Sequence, residues 1–89
     1  MANKRWEKSG DLHELHFERF YDDEVIAIIK TDTDGDFCVT SAELDVEDQF
    51  LFISDELNAR REVERMIEDH YLSEMQYYEY LYKKFVEQP

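Results

Sequence analysis

The run Val25-Ile26-Ala27-Ile28-Ile29-Lys30-Thr31, followed by Asp32-Thr33-Asp34-Gly35-Asp36 and then Phe37-Cys38-Val39-Thr40-Ser41, constrains this chain more than any other stretch. β-Branched runs on either side of Asp-Gly form a hairpin, because glycine accepts the positive φ that a tight reversal needs. A three-residue loop, Thr33-Asp34-Gly35, predicts Ile29 opposite Val39 and Thr31 opposite Phe37. A two-residue Asp34-Gly35 turn would instead set Lys30 opposite Val39, and that slip exchanges the two faces of the strand. The three-residue loop is the preferred reading.

The rest of the chain is read around this hairpin. From Asp11, the segment DLHELHFERFY has a roughly helical spacing of Leu12, Leu15, Phe17, Phe20 and Tyr21, and Asp11 with Glu14 forms a capping box. That helix is expected to end near Tyr21, before the acidic Asp22-Asp23-Glu24. Thr40 and Glu43 also have capping-box spacing, so one helical turn is expected before a third strand, Gln49–Ser54. From Ser54 onward Leu57, Val63, Met66, Ile67, Tyr71, Met75, Tyr78, Leu81, Tyr82 and Phe85 recur at three- and four-residue steps. A capping box at Ser73-Glu74-Met75-Gln76 predicts a break into two helices, with Pro89 beyond the last. The predicted fold is α+β: an N-terminal helix, a three-stranded antiparallel meander, and two C-terminal helices packed on one sheet face. Residues 1–10 form a mobile basic arm, with Trp6 docking on the body, and residues 11–89 form a single domain. Apolar residues on both strand faces point to a cover for the outer face, either a second copy, as a homodimer, or the last helix.

Charge is localised. Between Asp11 and Asn58 stand 15 Asp and Glu against Arg19 and Lys30, a surplus of 13 that equals the net charge of the whole chain. Such a surface repels free nucleic acid and anionic membrane and suits a basic protein or a metal cation. The acidic clusters, Asp22/Asp23/Glu24, Asp32/Asp34/Asp36, Glu43/Asp45/Glu47/Asp48 and Asp55/Glu56, fall at strand ends and in turns. Ten of these residues are the candidate partner-binding set: Asp22, Asp23, Glu24, Asp32, Asp34, Asp36, Glu43, Asp45, Glu47 and Asp48. No apolar run reaches the ~20 residues of a membrane helix, and MANKRWEKSG lacks a signal-peptide core, so a cytoplasmic protein is expected. For a phage-encoded chain that means the host cytoplasm.

Catalytic chemistry finds little footing, and no enzyme and no cofactor are expected. His13 and His16 form H-x-x-H, a weak zinc spacing without a third ligand, and read as two ordinary histidines. The single Cys38 sits in an apolar strand pattern as a small hydrophobe. Two glycines cannot build a phosphate loop or a nucleophile elbow. The segment DTDGDFCVTSAE resembles the calcium loop of the EF-hand family, with Asp32, Asp34 and Asp36 at positions one, three and five. That resemblance implies Ca²⁺ held by Asp32, Asp34, Asp36, the Cys38 carbonyl, Thr40 through water, and Glu43. Phe37 departs from the glycine of position six, and Glu47 and Asp48 stand where an exit helix would bury apolar residues.

Carboxylates fixed several ångströms apart on a rigid frame can stand in for a row of phosphates. In size, acidity and aromatic content the chain resembles the small DNA-mimic inhibitors of phages, of the anti-CRISPR and anti-restriction type. Its predicted order of elements, with an Asp-Gly hairpin, is similar to that of a type II-A anti-CRISPR protein. The resemblance implies a blocker of a basic nucleic-acid-binding protein. An acidic immunity or antitoxin protein masking a toxin would share the same electrostatics.

Overall fold

The computed structural model describes residues 3–19 and 22–87. Strands β1 (Lys4–Ser9), β2 (Leu12–Arg19), β3 (Asp22–Thr31), β4 (Phe37–Ser41) and β5 (Val46–Phe50) lie side by side in chain order, each antiparallel to the next. One helix, α1 (Glu56–Glu87), packs its first half against one sheet face. The central hairpin takes the expected register, with Ile29 opposite Val39 and Thr31 opposite Phe37. The Asp32 N–H closes the loop on the Asp36 carbonyl at 2.9 Å, and Gly35 supplies a φ of 83°.

Elsewhere the predicted architecture is corrected. There is no N-terminal helix: Leu12–Arg19 is strand β2, with His13 and Leu15 buried under α1 and Leu12 and Glu18 turned outward. The period of two in His13-Leu15-Phe17 against Glu14-His16-Glu18 outweighs the looser helical spacing. Phe20 and Tyr21, expected to close that helix, lie outside the described residues, as does Pro89. Asp11 does not cap a helix but sits in a two-residue turn, Gly10-Asp11, between paired Ser9 and Leu12. Gly10 has φ of 61°, the conformation a two-residue hairpin loop demands of its first position. That reversal brings Lys4–Ser9, expected within a mobile arm, into the sheet as edge strand β1.

A Cβ added at Gly10 would meet nothing within 4 Å, so a substitution there probes backbone strain alone. Gly10→Ala is expected to destabilise by about 1 kcal/mol, the cost of left-handed φ for an L side chain. A lowered urea midpoint with unchanged slope is the readout; an unchanged midpoint contradicts the turn.

The last strand begins earlier than expected, at Val46 rather than Gln49, and two helices are one. Thr40 and Glu43 cap nothing. Instead Ser41 Oγ accepts the Leu44 N–H at 3.1 Å and donates to the Ile26 carbonyl at 2.6 Å, which satisfies a buried hydroxyl. Helix α1 is capped by Asp55, whose Oδ2 accepts the Asn58 N–H at 2.9 Å. It runs through Ser73 because a serine costs under ~1 kcal/mol inside a helix and no Gly or Pro interrupts the span.

The core lies between sheet and helix: Leu15, Ile26, Ala27, Ile29, Phe37 and Val39 below, Ala59, Val63 and Ile67 above, with Leu51 closing one side. A bulge in β3 turns both Ile26 and Ala27 inward, since Leu15 pairs with Ala27 and His16 with Val25. The outer face is mixed: the register puts Leu12, Val25, Ile28 and Phe50 on it among charged groups. Arg5, Glu7, Glu14, His16 and Asp23 occupy it as an ion-pair network beside the Lys30–Asp48 pair. A radius of gyration of 16.1 Å exceeds the ~12 Å of a compact chain this long, because the second half of α1 runs past the sheet.

Candidate functional site

The ladder Leu12–Lys30–Cys38–Phe50 aligns four strands at one end of the sheet. Immediately beyond it the β1–β2 and β3–β4 turns stand side by side, carrying Asp11 and the Asp32/Asp34/Asp36 group. Asp11, Lys30, Asp32, Thr33 and Asp48 line a shallow open depression there. Carboxylate oxygens of Asp32, Asp34 and Asp36 lie within 4.8 Å of one another. Asp32 is the organiser: its Oδ1 accepts the N–H of Asp34 at 2.9 Å and of Asp36 at 3.0 Å. The start of α1 is at the same end, with Glu56 3.5 Å from His13 and 3.8 Å from Lys8.

The ten expected partner-binding residues do not share one surface. Asp22, Asp23 and Glu24 gather at the opposite end, separated from the rim by the length of β3, roughly 30 Å at ~3.3 Å per residue, and Glu43 and Asp45 stand in the β4–β5 turn beyond the far end of the shorter β4. Four of the ten are neutralised by bases of the chain itself. Asp23 takes both amino groups of Arg5, at 2.8 and 2.9 Å, and that guanidinium holds its carboxyl below the usual range. Arg19 clamps Glu24 and Glu43, the latter at 2.7 Å, and holds the Glu43 carboxyl low as well. Asp48 faces Lys30 at 2.7 Å and is held low by it. Among the described residues, Asp22, Asp32, Asp34, Asp36, Asp45 and Glu47 have no such ion pair. Of these only the Asp32/Asp34/Asp36 group forms a dense array.

Sequence reasoning missed Asp11 as a rim residue by making it a helix cap. The signal was Ser9-Gly10-Asp11, a two-residue hairpin turn between alternating strands. Most bases are spoken for in a similar way: Lys4, Lys8, Arg60, Arg65 and Lys83 each lie within 4 Å of a helical glutamate or aspartate.

The calcium-loop ligands are split apart. Asp32, Asp34 and Asp36 converge, but the chain then extends as β4 instead of wrapping back. Phe37 at the sixth position is buried in the core, and Thr40 Oγ1 accepts the Asp48 N–H at 3.0 Å. Glu43 lies beyond the far end of β4, at least ~13 Å away, bonded to Arg19. Adding 1 mM Ca²⁺ is therefore expected to raise the melting free energy by under ~0.5 kcal/mol, the limit for a site no tighter than millimolar. A rise of several degrees in a thermal scan contradicts this. The zinc spacing fails as well: His13 is buried under the helix, where it accepts a hydrogen bond from Arg60 at 2.9 Å, while His16 faces the outer ion-pair network. Burial holds the His13 imidazole below its ordinary pKa.

A small apolar cavity of about 170 Å³ sits between sheet and helix, lined by Leu15, Phe17, Ile26, Ile67 and Tyr71. It is smaller than the ~300–1,000 Å³ of ordinary ligand sites. No described helix is long and apolar enough to cross a membrane. The order of elements on which the likeness to a type II-A anti-CRISPR protein was built, helix first and helix pair last, is not the order found. The chain matches no family model, no curated protein and no solved structure, so its site is interpreted from its own geometry alone.

Proposed function

We propose that the chain is an acidic binding protein that occupies, and so blocks, the nucleic-acid site of a basic protein. The observation that carries this reading is the Asp32/Asp34/Asp36 group, whose carboxylate oxygens lie within 4.8 Å of one another beside Asp11, while the base lining the same depression, Lys30, is already paired with Asp48. Like charges held this close repel, and nothing in the fold requires Asp34 or Asp36 to be acidic. The β1–β2 and β3–β4 turns stand two strand spacings, ~10 Å, apart, so Asp11 adds a second point of negative charge beside the Asp32/Asp34/Asp36 group. Lysine and arginine arrays that neutralise phosphates can neutralise such charges, releasing their counterions in the same way. The hairpin frame beneath is rigid, so little ordering entropy opposes docking.

The test is capture of proteins from a bacterial lysate on the immobilised chain, followed by elution with double-stranded DNA. A captured protein released by DNA, with affinity falling steeply from 50 to 200 mM salt, supports the reading. Capture that neither DNA nor salt disturbs overturns it.

A further inference from the structure

Beyond Tyr71 the helix leaves the sheet but keeps its apolar stripe. Ala59, Val63 and Ile67 face the core, and Met75, Tyr78, Tyr82 and Phe85 continue along the same side at alternating four- and three-residue steps. That spacing is a heptad seam, which needs a facing helix to fill it. Among the described residues nothing covers it: Met75 is 59 %, Tyr78 64 %, Tyr82 69 % and Phe85 83 % exposed. We infer that this projecting segment, Leu72–Glu87, pairs antiparallel with the same segment of a second copy.

Three observations favour a second copy over a foreign helix. The first is area. With Leu81 at its flank, 40 % exposed, the seam offers roughly 600 Å² of side chain at ~200 Å² per large residue, about 1,200 Å² for the pair, at the lower end of specific interfaces. The second is self-complementarity. Reversing the segment about Tyr80 sets Met75 against Phe85 and Tyr78 against Tyr82, so that the seam faces itself, as a two-fold interface requires. The third is charge. The same reversal places the two bodies, each with its surplus of 13 negative charges, at opposite ends. A parallel pairing would set those bodies side by side and Glu74 against Glu79. On the outer sheet face the exposed Leu12, Val25 and Phe50 are interspersed with ion pairs and form no continuous seam.

Sedimentation equilibrium of the full chain at tens of micromolar is expected to give twice 10.8 kDa. Small-angle scattering is expected to show a particle about 90 Å long, since two 58 Å bodies overlap along ~24 Å of helix. The double substitution Tyr78→Glu and Tyr82→Glu is expected to weaken self-association at least 100-fold and leave the sheet's circular-dichroism signal intact. Tyr80→Glu, on the opposite side of the helix, is the control expected to leave the dimer in place. A wild-type monomer at 100 µM, a dimer that survives the double substitution, or a dimer no longer than ~60 Å overturns the inference. The blocking role of the rim stands apart from this result, because both substitutions lie far from it along the helix.

Discussion

Changing Asp11, Asp34 and Asp36 together to lysine is expected to cost about two orders of magnitude in affinity for a DNA-displaceable basic partner. Each exposed ion pair contributes up to ~1 kcal/mol, and losing three corresponds to ~3 kcal/mol, or roughly 100-fold. Reversal adds repulsion to that loss. Asp32 is left in place, because its carboxylate organises the loop by accepting two backbone N–H groups. Removing it would confuse a binding effect with a folding one. The fold itself is expected to survive: three reversals lower the net charge from -13 to -7 and reduce self-repulsion at that end. Isothermal titration and a thermal scan together provide the check. Unchanged affinity with a melting point equal to or above wild type means that the rim is not the contact surface.

The second large effect is expected at Arg19. Its guanidinium joins three parts of the fold, bonding Glu24 at the start of β3, Glu43 in the β4–β5 turn at 2.7 Å, and the Tyr71 hydroxyl of α1 at 3.2 Å. Arg19→Met keeps most of the side-chain volume but strands a half-buried Glu43 and a Tyr71 hydroxyl. A cost of about 2–3 kcal/mol follows from unpairing charge-assisted hydrogen bonds. That is a large share of the stability of a domain this small. The pH dependence has a definite sign. Arg19 lowers the pKa of Glu43 in the folded chain, so the stabilisation is present above the ordinary glutamate range and fades as pH falls through the lowered value. The wild type is thus expected to lose stability between about pH 5 and pH 3, and the variant to show a shallower loss. Urea midpoints across that range measure both. An Arg19→Met variant as stable as wild type at pH 7 contradicts the clamp.

The hairpin at the centre was legible because its signal is local: β-branched runs, Asp-Gly, and a register fixed by which face must be buried. The N-terminal half was not, for a reason visible in particular residues. In Leu12–Arg19 the inward side chains are His13, Leu15, Phe17 and Arg19, two of them polar, so a period of two in hydrophobicity is blurred. His13 and Arg19 can face inward only because Arg60 and the Glu24/Glu43 pair meet them there. Those partners are 47, five and 24 residues away and cannot be seen from local spacing. The same blindness affected the acidic set. Its carboxylates were all identified, but Asp23, Glu24, Glu43 and Asp48 differ from the rim only through bases that the fold brings to them. The continuous helix was misjudged at Ser73 because that one serine, with Gln76 three residues on, satisfies the capping pattern by chance, while nothing there breaks a helix.

The central claim is that the rim competes with nucleic acid for one site, and an equilibrium competition tests it most directly. A partner isolated on the immobilised chain is mixed with fluorescent double-stranded DNA, and the apparent Kd for DNA is measured as this protein is added. Mutually exclusive binding is expected to raise that Kd in direct proportion to added protein, without limit, and to leave no ternary complex. An apparent Kd that levels off, with DNA and protein bound to the partner together, contradicts the claim.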